Sequence, residues 1–83
     1  MTREEIEAKV NAFLIEEFEI EESQIAPDAN FKDDLGLESL DFVDIVVIIE
    51  RDFGFKVKSE EIIHIRQLSD LYDYVQNHIN APV

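Results

Sequence analysis

The side chains in this chain that are able to do chemistry gather around Ser39. In the stretch Asp33 to Phe53, DDLGLESLDFVDIVVIIERDF, a glycine-punctuated acidic loop meets an apolar run at that serine. As a hydrolytic nucleophile Ser39 needs a neighbouring base and an oxyanion hole, and the G-x-S-x-G elbow is absent. His64 and His78 lack metal-ligand spacing or a paired carboxylate; they read as packing or surface residues. Asp28-x-Asn30 begins like a calcium loop, but Lys32, Asp33 and Ser39 stand where an oxygen ligand, a glycine and a bidentate glutamate are required. Clustered carboxylates leave loose divalent binding, without a specific metal site. No intrinsic catalysis is expected, and the plainest role of Ser39 alone is that of a helix N-cap.

A chain of 83 residues has room for one modest core, so a single domain over residues 1–83 is expected. No cysteine is present, which removes disulfides, zinc–thiolate sites and thiol catalysis and agrees with a reducing cytosol. The N-terminus lacks the pattern of a secretion signal, and the apolar run Val43 to Ile49 contains Asp44 and is too short to span a bilayer. A soluble, cytoplasmic, monomeric protein is expected. Twenty acidic and seven basic side chains give a formal net charge of −13. Such a surface repels nucleic acid and anionic membrane and attracts basic protein surfaces.

The elements that position Ser39 follow from periodicity and capping signals. Thr2 and Glu5 have capping-box spacing, and Ile6, Val10, Phe13, Leu14 and Phe18 form one stripe of a first helix over about Thr2 to Phe18. From Glu19 to Leu37 the period lapses into a long loop, which Ile25, Phe31, Leu35 and Leu37 must pin to the core. A second helix from Ser39 to about Phe53 stops at Gly54, which suits a left-handed cap. It is apolar nearly all round and reads as the central element, with Val43, Val46 and Ile49 toward the core and Asp41, Asp44, Val47, Ile48 and Arg51 outward. Ser59 looks like the N-cap of a short helix through about His64, and Ser69 and Asp70 start a last helix whose stripe is Leu68, Leu71, Tyr72, Val75 and Ile79. The fold class is therefore all-α: a small antiparallel four-helix bundle with a long first loop and a short third helix.

Asp34-Leu35-Gly36, then Leu37, Glu38, Ser39, Leu40 and Asp41, resembles the attachment motif of the acyl carrier protein family, D-L-G-x-D-S-L. The likeness runs through the chain: IAPDANF resembles the family's segment before the motif, DFVDIVVIIERDF its acidic second helix, and LSDLYDYV its last helix. The resemblance implies a discrete carrier that is not an enzyme. Ser39 would bear a covalent 4′-phosphopantetheine arm, added from coenzyme A by a phosphopantetheinyl transferase and holding acyl groups as thioesters. It implies docking to acyl-transfer, ketosynthase, reductase and dehydratase enzymes of fatty acid, polyketide or related lipid synthesis through Glu38, Leu40, Asp41, Asp44, Val47, Ile48, Arg51, Glu60 and Glu61. Glu50 and Asp52 match further acidic positions.

Three residues depart from the family pattern: Glu38 replaces the usual aspartate, Arg51 lies where many fatty acid carriers are acidic, and Phe42 follows the motif. They point to a specialised pathway rather than housekeeping lipid synthesis. A peptidyl or aminoacyl carrier shares the arm but has a less acidic second helix, and an acidic interaction module would use Ser39 only as an N-cap. The apolar interior between the second, third and last helices is expected to shelter a short acyl chain, at about 0.8 kcal/mol per buried CH₂.

Overall fold

Each helix that flanks the long loop begins or ends on a specific backbone device. Helix α1, Arg3–Phe18, starts at Thr2, whose hydroxyl accepts the Glu5 N–H (3.2 Å) while the Glu5 carboxylate accepts the Thr2 N–H (2.9 Å). That second bond holds the Glu5 carboxyl below the ordinary carboxylate range. The helix ends at Glu19 in the left-handed region, φ 57, where Ile20 N–H donates to the Leu14 carbonyl (3.3 Å) and Ile20 turns into the core.

The computed structural model describes residues 2–80, apart from the side chains of Ser59 and Asn80. After a short 3₁₀ turn, Glu22–Gln24, come α2 (Ser39–Phe53), α3 (Ser59–Ile62) and α4 (Leu68–Asn80). This is the expected all-α bundle, with no strand among the described residues. The α1 stripe is as expected: Ile6, Val10, Phe13 and Leu14 are buried and Phe18 lies against them. In α4, Leu68, Leu71, Tyr72 and Val75 complete the same cluster, with Ile79 at its margin. These two helices make the closest helix pairing. Arg3 bridges them, pairing with Glu7 and with Asp73 (2.6 Å) and donating to Gln76 (2.7 Å).

Two boundaries differ from expectation. Helix α3 ends at Ile62 and continues only as a turn through His64; the capping role expected of Ser59 lies outside the described residues. Helix α4 begins at Leu68, so Ser69 lies inside it. Its start is closed by Asp70, which accepts the backbone N–H groups of Gln67 (3.1 Å) and Arg66 (3.3 Å). Helix α2 keeps its expected bounds, Ser39–Phe53, and its N-cap is Glu38, extended at φ −102, ψ 176.

The long loop is ordered by backbone bonds as well as apolar anchors. Phe31, Leu35 and Leu37 are buried and Ile25 packs at the margin, joined by Ile20 and Ala29. The loop is laced to the segment entering α4: Phe31 N–H donates to the Arg66 carbonyl (3.0 Å), Leu68 N–H to Ala29 (2.9 Å) and Ser69 N–H to Pro27 (2.8 Å). These groups would otherwise be unpaired next to a core. Helix α2 is thus seated on a fixed platform instead of a slack connection.

Candidate functional site

Ser39 is exposed on the first turn of α2, between the loop platform and open solvent. Asp41 fixes that turn, its carboxylate accepting the Glu38 N–H (2.8 Å) while Asp41 N–H donates to the Glu38 carbonyl (2.9 Å). The Ser39 hydroxyl has no hydrogen-bond partner among the described residues. A capping serine would be committed to a backbone amide; the alternative that makes Ser39 an N-cap is not met, because Glu38 occupies that position. Upstream, Gly36 adopts φ 68 and Leu37 N–H donates to the Phe31 carbonyl (2.7 Å), turning the chain to present the serine outward.

A cleft of about 620 Å³ opens beside Ser39. Its apolar floor includes Phe31, Leu37, Phe42 and Ile65; its polar rim carries Asn30, Lys32, Asp33, Glu38 and Arg66. Phe31 and Phe42 meet edge to face with ring centroids 5.2 Å apart, locking α2 onto the loop. This cleft lies on the loop side of the serine, and not between α2, α3 and α4 where an acyl shelter was expected.

The outward face of α2 differs from the expected one. Ile48 is 6% exposed and belongs to the core, while Val43, expected inside, is 61% exposed. Leu40 (79%) and Val47 (57%) share that open face with Val43, Asp44 and Arg51. The buried residues are Ile45, Ile48 and Ile49, with Phe42, Val46 and Phe53 partly covered, so α2 has one buried stripe and is not enclosed on all sides. The reason is rotational: Phe42 meets Phe31, and that contact turns the 42/45/49 line inward. Ile63, 71% exposed just after α3, adds apolar surface that periodicity did not flag.

The acidic residues divide by duty. Glu50 accepts the Val57 N–H (2.9 Å), Asp52 pairs with Arg51 (3.1 Å), and Glu61 accepts the Tyr74 hydroxyl (3.1 Å) and lies 3.8 Å from His78 Nε2. Asp41 serves the helix start. Asp44 and Glu60 are exposed and make no side-chain bond among the described residues. His64 is exposed, and His78 stacks on Phe55 at 4.7 Å. No three metal-ligating side chains converge among the described residues. No described helix is long and apolar enough to cross a membrane.

The cleft residues Lys32, Phe42 and Arg66 are not marked as a group by the sequence, because only the loop-to-α4 lacing brings the 30–33 and 65–66 segments together beside Ser39. A lone lysine amid loop carboxylates was the available signal.

A family model described as a phosphopantetheine attachment site matches residues 8–75. An acyl carrier protein of Thermotoga maritima is 37% identical over 78 residues, 94% of this chain and 96% of that protein. Acyl carrier proteins of Rubrobacter xylanophilus and Thermosynechococcus vestitus are 35% and 30% identical, each over 98% of this chain and their whole length.

Proposed function

Because this chain belongs to the acyl carrier protein family, we propose that Ser39 is the residue that bears its covalent 4′-phosphopantetheine, and that the loaded protein carries acyl groups between enzymes of a biosynthetic pathway. The observation that carries this reading is the Ser39 hydroxyl itself: exposed, unbonded and held on the first turn of a fixed helix. The group supplies a thiol at the end of a flexible arm, which a chain without cysteine does not have.

Attachment forms a bond from Ser39 Oγ to phosphorus as the pyrophosphate bond of coenzyme A breaks. The adenosine bisphosphate half leaves and the hydroxyl proton passes to a base of the transferase. The protein's own share is to hold the oxygen accessible and to receive an anion where the first amides of α2 lack intrahelical acceptors. Asp41 keeps that turn formed before any partner arrives.

Partner recognition falls to the open face of α2. Leu40, Val43 and Val47 provide apolar contact, Asp44 and Glu60 provide free charge, and Asp41, Glu50, Asp52 and Glu61 have intramolecular duties as well. A partner with a basic rim around a small apolar depression fits this face: charge raises the encounter rate, and the modest apolar area permits release. The transferase and the acyl-transfer, ketosynthase, reductase and dehydratase enzymes are the proposed users. The aromatic Phe42 and the cationic Arg51 favour a polyketide or other specialised lipid pathway over primary fatty acid synthesis.

The test is intact mass after incubation with coenzyme A and a broad-specificity phosphopantetheinyl transferase. The wild type should gain one phosphopantetheine and Ser39→Ala none. No gain by the wild type, or an equal gain by Ser39→Ala, would overturn the assignment.

A further inference from the structure

Resting on the assignment of the arm to Ser39, we infer that Lys32 and Arg66 form a cationic gate that holds the phosphate of the arm and lays the arm back along the cleft beside the serine. The gate follows from how few cations this chain has and where two of them are placed. Of seven basic residues against twenty acidic ones, both Lys32 and Arg66 line the cleft that Ser39 also lines. Arg3 and Arg51 are engaged in ion pairs with Asp73 and Asp52. Neither Lys32 nor Arg66 has an ion pair or side-chain hydrogen bond among the described residues, and both are exposed; Lys9, Lys56 and Lys58 likewise make no ion pair among those residues but do not line the cleft.

Their nearness is imposed by the backbone. Phe31 N–H donates to the Arg66 carbonyl (3.0 Å), and Asn30 bridges Gln67, so the loop segment that bears Lys32 and the segment that bears Arg66 run side by side. Asp33 and Glu38 line the same cleft and oppose an anion there, and the two cations offset them. The result is a locally neutral opening in a protein of net charge −13. A phosphodiester on Ser39 is repelled by the excess of acidic side chains over this surface, and in the cleft it meets two cations. Below the rim, Phe31, Leu37, Phe42 and Ile65 offer apolar surface along which the arm's methyl-bearing segment can lie.

Lys32 and Arg66 are positioning residues in this arrangement; they touch the arm and take no part in bond making. Their effect is therefore read on the arm's order and not on its attachment. Wild type, Lys32→Gln/Arg66→Gln and the conservative Lys32→Arg/Arg66→Lys protein are each converted to the holo form, with the mass gain checked in all three. Apo and holo spectra of each are compared by ¹H–¹⁵N and ³¹P NMR at low salt, and relaxation of the arm's own resonances is measured.

The wild type should show shifts on loading at the amides of Phe31, Lys32, Ile65 and Arg66 and a restrained arm. The glutamine pair should lose those shifts and free the arm, while the conservative pair keeps both. Added salt should weaken the restraint in the wild type and in the conservative pair and leave the glutamine pair unchanged. Shifts confined to Ser39 and its chain neighbours, or an arm equally mobile in all three proteins, would overturn the gate while leaving the carrier reading intact. Failure of the wild type to gain mass would overturn the carrier reading and the gate with it.

Discussion

The carboxylate of Asp41 accepts the backbone N–H of Glu38 at 2.8 Å, closing the first turn of the helix that begins with Ser39. An acid on the outward side of α2 thus serves the fold as well as any partner. Asp41→Ala should lower stability by about 0.5–1 kcal/mol, as the loss of a cap does. Asp44→Ala, which breaks no side-chain bond, should stay within about 0.5 kcal/mol of wild type. Urea unfolding of the two variants separates these outcomes, and equal destabilisation would contradict the division.

Substitution on the open apolar face should affect partners and spare the fold. Val47→Asp, at a position 57% exposed, should raise the transferase KM several-fold while leaving the melting temperature near wild type. Ile48→Asp should instead unfold the protein, since it buries an unpaired charge at a residue 6% exposed. Steady-state kinetics with thermal melts reads both.

Glu19 closes α1 at φ 57, a conformation that costs a side-chain-bearing residue about 1 kcal/mol or more and glycine almost nothing. Glu19→Gly should therefore stabilise the protein by roughly 0.5 kcal/mol after the added flexibility of the unfolded chain is deducted. A fall in the unfolding midpoint would refute the strain argument.

Burial pushes the Tyr72 hydroxyl up from 10.0 to about 12, with the nearby Glu7 charge acting the same way. The folded state then retains a proton that the unfolded chain releases, so this contribution is complete below pH 10 and is lost as pH rises toward 12. Tyr72→Phe also deprives Asn11 of its hydroxyl partner. It should therefore be less stable at neutral pH, with a shallower decline between pH 10 and 12 than wild type. Parallel declines would show that Tyr72 is not the source.

Self-repulsion among charges summing to −13 should make the fold salt-sensitive. Raising sodium chloride from low to moderate concentration, or adding millimolar Mg²⁺, should raise the melting temperature. A flat or falling response by calorimetry would show that the carboxylates are already compensated.

What the sequence determined here is local. Capping spacing at Thr2 and Glu5, the turn at Gly36, the stop at Gly54 and the stripes of α1 and α4 are backbone and periodicity effects that neighbouring residues dictate. The motif around Ser39 was legible for the same reason, since it is contiguous. The rotation of α2 was not, because a helix apolar nearly all round offers several faces of similar hydrophobicity, and only the meeting of Phe31 with Phe42 decides that Ile48 goes in and Val43 stays out. Nor was the placing of Lys32 and Arg66 on one cleft, which follows from Phe31 N–H finding the Arg66 carbonyl across more than thirty intervening residues. Such long-range backbone bonds leave no periodic trace in the chain, and they set the surroundings of Ser39.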